Sequence, residues 1–279
     1  MEKMKLALQI YTVRDFVETD IKGTFQKVKA MGYDTIELAG MSMFNGMTPT
    51  ELKEMLAECG LTAISAHVPI QELDADPQAA VLRYKEAGCR YIAIPWLAME
   101  QCPGGAQFEA TLATINTVGK LCNDNGMTLL YHNHDFEFVK MPDGTYGLDY
   151  LYQKVPADIL QTEIDTCWVK FAGVDPVGYI RKYAGRCPIV HLKDFYKEGE
   201  TGQVYELIGD DGEEIKEAPP RGVFEFRPLG MGVQDFPAII KAAEESGAEW
   251  IVVEQDTSVG RTSLEAAQLS REYLKTLGY

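Results

Sequence analysis

The feature that most constrains the fold of this chain is a unit that recurs along it. In each instance a stretch with helical spacing ends at a glycine, and an apolar run rich in β-forming residues begins shortly afterwards. Because glycine suits the left-handed residue that follows a helix, each unit predicts a helix, a short loop and a buried parallel strand. The instances are GYDTIEL from Gly32, GLTAISAHV from Gly60, GCRYIAIPW from Gly88, GMTLLYHNH from Gly126 and GAEWIVVEQD from Gly247.

Eight runs of this kind are predicted to be strands, and the segments between them have helical spacing. Strict alternation of strand and helix predicts right-handed crossovers and a parallel sheet. Eight units within 279 residues favour closure into an α/β fold of the (β/α)8 TIM-barrel type, with one domain over residues 1–279. No GxGxxG follows the first strand, which argues against an open dinucleotide-binding sheet. The predicted strands are 5–12, 34–39, 62–68, 90–96, 127–134, 159–166, 189–194 and 250–256.

Residues 195–233 interrupt the alternation after the seventh strand, and this segment is too long for a plain loop between a strand and a helix. Within it, VYELIGDDGEEIKEAP predicts a hairpin that turns at Asp211-Gly212. An insertion at the carboxyl end of a barrel strand is expected near the mouth of the active site. The alternative is a hairpin that only decorates the surface.

The composition excludes several classes of function. A net charge of −16 without a basic patch argues against nucleic acid and against anionic membrane surfaces as partners. The six cysteines are scattered and form no CxxC pair, so we expect reduced thiols. The N-terminus lacks the pattern of a signal peptide, and no run approaches ~20 apolar residues, so a cytoplasmic protein is expected. A homo-oligomer is compatible with such a barrel.

Polar residues concentrate at the carboxyl ends of the predicted strands, where TIM-barrel enzymes place their chemistry. All four histidines fall at these ends, namely His67, His132, His134 and His191. Acids outnumber the cations there, which are chiefly Lys193 and Arg227. Because buried carboxylates need compensation, we expect one divalent metal ion, and the mixed oxygen and nitrogen donors suit Mn²⁺, Mg²⁺, Co²⁺ or Zn²⁺ alike.

The histidines of LLYHNHDFEF, residues 129–138, lie two residues apart, so both face the same side of a strand. Either histidine alone is as well explained as a satisfied core residue, but the pair followed by Glu137 favours chemistry. Lys193 suits a Schiff-base lysine or, because Asp194 follows it, an ion-paired orienting group. Glu37 and His67 suit substrate binding and the support of other side chains equally well.

With these residues, the chain resembles the xylose isomerase-like TIM-barrel superfamily, the sugar phosphate isomerase/epimerase group that includes inosose dehydratase, ketose 3-epimerases and hydroxypyruvate isomerase. The resemblance implies one divalent metal ion held by Glu, Asp, His and Glu on strands five to eight. Matched by position, it implies Asp165, His191 and Glu254 as ligands, with Glu137 as the first ligand and His132 or His134 as its alternatives. The segments that carry it are LALQIYTVRD, YHNHDFEF, EIDTCWV, GRCPIVHLKD, LGMGVQDF and WIVVEQD.

The function expected from the resemblance is a metal-dependent isomerase or epimerase. Its substrate would be a sugar or keto-polyol without phosphate, since no phosphate-binding loop is evident. A base removes the proton next to a carbonyl, and the metal stabilises the enediolate. His134 is the first candidate base, His132 or Lys193 the acid and orienting group, and Glu254 a ligand that doubles as a base. The expected substrate-binding residues are Glu37, His67, Trp96, Arg227 and Asp256.

Other functions remain as alternatives. Dehydration and β-elimination of a keto-glycoside pass through the same intermediate, so an inosose dehydratase-like enzyme or a lyase is the runner-up. A sugar-binding barrel without catalysis is more distant. A metal-dependent DNA endonuclease, which shares this barrel, needs more histidines and a basic face, and the charge of −16 argues against it.

Overall fold

A computed structural model describes residues 3–199 and 222–279, and it contains the predicted closed barrel of parallel strands. Neighbouring strands follow the order β1, β10, β7, β6, β5, β4, β3, β2 around the barrel. All eight predicted strands are confirmed. The barrel strands are β1 Lys5–Gln9, β2 Thr35–Leu38, β3 Thr62–His67, β4 Tyr91–Ile94, β5 Thr128–His132, β6 Gln161–Asp165, β7 Ile189–Leu192 and β10 Trp250–Val253.

The predicted strands extend too far at their carboxyl ends. The run 5–12, for example, ends as a strand at Gln9 and continues as a 3-10 helix over Ile10–Val13. Apolar residues past a strand end remain buried because they pack in the first turn of the connection. The apolar pattern of the sequence therefore did not mark the residue at which each strand ends.

Helices surround the barrel and begin at recognisable caps. Thr48 and Thr262 each form a capping box with the glutamate three residues later, which satisfies backbone N–H groups of the first turn. The helices are α1 Arg14–Val17, α2 Ile21–Met31, α3 Pro49–Glu58, α4 Ile70–Ala75, α5 Pro77–Glu86, α6 Phe108–Asp124, α7 Gly147–Lys154, α8 Thr166–Phe171, α9 Pro176–Lys182, α10 Phe236–Glu245 and α11 Ser263–Thr276.

The glycines that mark the recurring unit take the conformation expected of them. Their φ angles lie between 70° and 100°, the left-handed region that residues with a Cβ rarely adopt. The prediction of a left-handed residue after a helix is thus confirmed at Gly32, Gly60, Gly88, Gly126 and Gly247.

Two apolar layers support the barrel. A large core lies between strands and helices, and a small cluster that includes Leu130, Ile189, Trp250 and Val252 fills the interior. Along four strands, the next inward residue after this cluster is polar, because side chains alternate with period two. The apolar residue and the polar residue that follows it are Ala7 and Gln9, Leu130 and His132, Ile189 and His191, and Val252 and Glu254. The interior is therefore packed below and polar at the carboxyl ends.

A separate antiparallel pair, β8 Asp194–Glu198 and β9 Val223–Arg227, follows β7. The carboxylate of Asp194 accepts hydrogen bonds from the backbone N–H groups of Gly230, Gly232 and Gln234, which fixes the chain where it returns to the barrel. The predicted turn at Asp211-Gly212 lies outside the described residues.

Two further findings bear on the expectations from composition. All six cysteines are free, and five of them are buried. Over residues 3–199 and 222–279, none of the helices has the length and apolar character that crossing a membrane requires.

Candidate metal centre and active site

All four histidines converge at the carboxyl ends of the barrel strands. Ring centroids are 4.6 Å apart for His67 and His132, 4.6 Å for His132 and His191, and 5.2 Å for His132 and His134. His191 is far from the other three histidines in the sequence, so only closure of the barrel brings the four rings together. This convergence defines the candidate site.

Among the described residues, two overlapping groups of side chains there have the donors of a metal centre. One is His67, His132, Glu163 and His191; the other, which we call the ligand group, is His132, Asp165, His191 and Glu254. One donor atom from each lies within 4.8 Å of the others. His191 Nδ1 is 2.9 Å from Glu254 Oε2, and His132 Nε2 is 3.7 Å from Asp165 Oδ2. The three ligands expected on strands six to eight thus lie together, and the strand-five member is His132.

Glu137, the first choice for that fourth position, is engaged elsewhere. It lies in a short 3-10 helix, Phe136–Phe138, where its Oε1 accepts from the hydroxyl of Tyr131 at 2.6 Å and its Oε2 from the backbone N–H of His134 at 2.8 Å. Burial raises the pKa of Glu137 to about 7, although these two hydrogen bonds lower it. The carboxylate therefore holds the turn after β5 and is not part of the ligand group.

Asp165 provides the test of whether the ligand group fits a cation. Its Oδ1 accepts from the backbone N–H of Cys167 at 2.7 Å, but its Oδ2 has no hydrogen-bond partner among the described residues. The ammonium nitrogen of Lys193 lies 3.5 Å from Oδ2. Burial raises the pKa of Asp165 to about 7; Lys193 lowers it, and Glu254 raises it further. A buried carboxylate oxygen without a hydrogen bond is costly, so this position fits a metal ion.

The histidine of strand five also has the form that metals require. Burial lowers the pKa of His132 to about 3, which keeps the ring neutral with a free nitrogen lone pair. Two imidazoles and two carboxylates are donors that Zn²⁺, Co²⁺ and Mn²⁺ accept. The residues of the ligand group therefore fit a divalent ion.

Lys193 is buried beside the ligand group and is ion-paired. Its Nζ lies 2.8 Å from Asp256 Oδ1 and 3.3 Å from Glu254 Oε2, and 5.2 Å from the ring centroid of Trp168. Asp194, which follows Lys193 in the sequence, directs its carboxylate to the backbone N–H groups of Gly230, Gly232 and Gln234. Consecutive residues point to opposite sides, so Asp194 faces the returning chain instead.

His134 lies just past the end of β5 with 5% of its surface exposed. Its ring stacks on Phe136, with centroids 5.5 Å apart and planes 3° from parallel. Burial lowers the pKa of His134 well below its usual range, and the nearby His132 and Lys193 lower it further. The ring is thus a neutral imidazole next to the ligand group.

Deeper in the barrel lies a second set of polar side chains, which we call the deep group: Glu37, His67 and Glu163. His67 Nε2 is 2.7 Å from Glu163 Oε1 and 3.4 Å from Glu37 Oε2. Glu163, the glutamate of the segment EIDTCWV, received no role from the sequence. Its spacing of two from Asp165 places both carboxylates on the inner side, and that signal was available.

The remaining predicted residues lie at the rim. Trp96 follows β4 and is 37% exposed. Arg227 on β9 pairs with Glu225 and lies over the ring of Tyr196. Within the described part of the chain, neither Trp96 nor Arg227 has a hydrogen bond or ion pair with the ligand group, whereas Asp256 reaches the group through Lys193.

Comparison with known proteins agrees with this architecture. Residues 25–277 match the family model described as Xylose isomerase-like TIM barrel. This chain belongs to the xylose isomerase-like TIM-barrel family. An inosose dehydratase of Clostridium beijerinckii is 31% identical over 166 residues, 58% of this chain and 51% of that protein. The chain spans about half the length of the curated relatives it matches.

Solved structures of the xylose isomerase-like fold superpose over nearly the whole chain. A sugar phosphate isomerase/epimerase from Parabacteroides distasonis has a TM-score of 0.76 at 22% identity, covering 99% of this chain and 94% of that one. The IOLI protein, solved with a binding zinc atom, has a TM-score of 0.70 at 15% identity, covering 98% of each chain. At these identities, the likeness establishes the fold.

Proposed function

We propose that this chain is a divalent-metal-dependent enzyme that removes a proton next to the carbonyl of a non-phosphorylated sugar or keto-polyol. The observation that carries the proposal is the convergence of His132, Asp165, His191 and Glu254 beside His134. The names of the matched proteins, an inosose dehydratase and a sugar phosphate isomerase/epimerase, support this class of substrate. The zinc in a structural neighbour supports the metal.

The four residues of the ligand group would hold the ion. When bound, a divalent ion supplies Lewis acidity that polarises a carbonyl oxygen and stabilises negative charge next to it. The two imidazoles favour Zn²⁺, Co²⁺ or Mn²⁺ over Mg²⁺, which prefers oxygen ligands.

His134 is the proposed base. An imidazole nitrogen of this ring takes the proton from the carbon, and stacking on Phe136 holds the ring plane in place. Glu254 was the other candidate base, but its Oε2 is shared by His191 and Lys193. The ammonium of Lys193, held by Asp256, donates a hydrogen bond to a substrate oxygen and is the proposed acid and orienting group.

The charges at this end of the barrel favour a substrate without phosphate. Among the described residues, three cations there are already engaged: Lys193 by acids, Arg14 by the carbonyl oxygens of Tyr11 and Asp256, and Arg227 by Glu225. Several buried carboxylates would repel a phosphate group. At the rim, the aromatic face of Trp96 suits the C–H side of a sugar, and Glu37 and His67 are proposed to act through other side chains.

The fate of the proton decides the product. Its return to the same or the adjacent carbon gives an epimer or an isomer, which is the main proposal. Loss of a β-hydroxyl group from the deprotonated substrate gives a dehydrated product instead. Dehydration is the second candidate because the curated relatives that match 58% of the chain are inosose dehydratases.

The experiment is proton exchange in deuterium oxide. Purified protein with Mn²⁺, Co²⁺ or Zn²⁺ is incubated with ketopentoses, ketohexoses and inososes, and proton NMR follows the signal next to the carbonyl. We expect metal-dependent loss of that signal for at least one substrate, abolished by a chelator and by Asp165→Asn. New sugar signals would assign isomerisation or epimerisation, and an enone absorbance would assign dehydration. If no substrate shows metal-dependent exchange, the proposal is wrong.

A further inference from the structure

We propose that Glu163 is a positioning residue, which decides the ring nitrogen that His132 presents to the metal. The inference rests on the proposed metal site and goes beyond it. A neutral imidazole carries one N–H and one lone pair, and only the lone pair binds a metal. A carboxylate that accepts from one nitrogen therefore selects the other as the ligand.

His132 shows this arrangement. Its Nδ1 is 3.0 Å from Glu163 Oε1, and its Nε2 faces Asp165 Oδ2 at 3.7 Å. An ionised carboxylate only accepts hydrogen bonds, so the proton belongs on Nδ1. The lone pair of Nε2 then points at the ligand group.

His191 does not share this arrangement, because both of its ring nitrogens face carboxylates. Its Nδ1 is hydrogen-bonded to Glu254 Oε2 at 2.9 Å, while its Nε2 lies 2.7 Å from Glu37 Oε2 without a hydrogen bond among the described residues. The selection of one ring nitrogen by a deep carboxylate is therefore specific to His132.

The deep carboxylates are themselves held from two other strands. His67 on β3 contacts Glu163 Oε1 at 2.7 Å, and Gln9 on β1 donates from its side-chain nitrogen to Glu37 Oε2 at 2.9 Å. Both carboxylates are fully buried, so water does not compete for them. The deep group is therefore a rigid support beneath the ligand group.

Titration with Co²⁺ tests the inference, using calorimetry for affinity and the visible absorption spectrum for coordination geometry. For Glu163→Gln we expect affinity about 10- to 100-fold weaker than wild type and a changed spectrum. The matched control is Asp149→Asn. Asp149 is a buried carboxylate on α7, bonded to Tyr179 and Tyr183, and its loss is expected to lower stability without changing the affinity.

A second background separates positioning from general destabilisation. In a His132→Ala protein, adding Glu163→Gln is expected to produce little further loss of affinity, because the ring that Glu163 orients is gone. If the two losses multiply instead, Glu163 does not act through His132.

The outcomes distinguish this inference from the proposed function. A wild-type protein that binds one Co²⁺, with Glu163→Gln unchanged in affinity and spectrum, overturns the inference alone. A wild-type protein that binds no divalent ion overturns the proposed function. Binding of two ions, one of which is lost in Glu163→Gln, would make the deep group a metal site and would also overturn the inference.

Discussion

His132 and His134 lie at or just past the end of β5 and face the same side by period-two alternation, but their surroundings differ. His132 contacts Glu163 and Asp165. His134 stacks on Phe136, and its backbone N–H bonds to Glu137. His132 therefore lies among carboxylates at the ligand group, whereas the ring of His134 stacks on an aromatic side chain. The proposed roles, ligand for His132 and base for His134, follow from this difference.

Replacing His134 by glutamine tests the proposed base. We expect proton exchange to fall by about 10²- to 10⁴-fold, because a positioned general base contributes roughly that factor. Co²⁺ affinity is expected to remain within a few-fold of wild type, since His134 is outside the ligand group. NMR exchange rates and calorimetry measure the two effects. A variant that retains at least a tenth of the wild-type exchange rate would direct attention to Glu254 as the base.

Glu137→Gln tests the buried carboxyl after β5. The folded-state pKa of Glu137 is raised to about 7 from an ordinary 4.5, so the folded protein favours the protonated group. Its contribution to stability is fully present below pH 4.5 and is lost as the pH rises to 7, on the order of 3 kcal/mol in total.

Because glutamine stays neutral, the stability of the variant relative to wild type should increase between pH 4.5 and 7. Urea unfolding of both metal-free proteins across this pH range measures the difference. Parallel stability profiles of the two proteins would show that Glu137 does not titrate in this way.

The sequence could not decide between His132, His134 and Glu137 as the fourth proposed ligand, for a physical reason. Period-two alternation predicts that His132 and His134 face the same side, because His132 ends a regular strand and His134 lies two residues later. Glu137 lies beyond that strand in a 3-10 turn, where no simple periodicity sets the direction of a side chain. Asp165, His191 and Glu254 were easier to predict, since each lies at or next to a strand end where all strands meet.

At the scale of elements, the end of β6 has two functions at once. Asp165 is the last residue of the strand and also the N-cap of α8, where its Oδ1 accepts from the N–H groups of Cys167 and Trp168. The other oxygen, Oδ2, faces the ligand group. The carboxylate that starts the helix is thus also held in place as a proposed metal ligand.

Asn and Ala at position 165 separate these two functions. Both variants are expected to lose metal affinity, but asparagine remains a good N-cap and alanine does not. The metal-free Ala variant should therefore be less stable than the Asn variant by about 1 kcal/mol, measured by urea unfolding.

The matched control for this comparison is Asp175, the N-cap of α9, whose carboxylate bonds Val177 and Gly178. Asp175→Ala is expected to lower stability while metal affinity stays unchanged. Equal stabilities of the two position-165 variants would contradict the capping role.

For the whole molecule, closure of the barrel is what makes the site, and closure was predictable from eight alternating units. The small interior cluster below and the polar side chains above follow from the same alternation along each strand. The connection between β7 and α10 was not predictable in the same way, because its packing depends on Asp194 bonding backbone groups some 40 residues later.

Removal and return of the metal ion test the molecule as a whole. Four strands supply the ligand group, so an ion that binds only the folded barrel must stabilise it. At an ion concentration 100 times Kd the gain is about 2.7 kcal/mol, which corresponds to a rise in Tm of about 5–10 °C for a chain of this size. Calorimetric scans of the chelator-treated protein, with and without added Co²⁺, measure the shift. Asp165→Asn should show no such rise, and a wild-type Tm that is insensitive to Co²⁺ would contradict a metal centre shared between these strands.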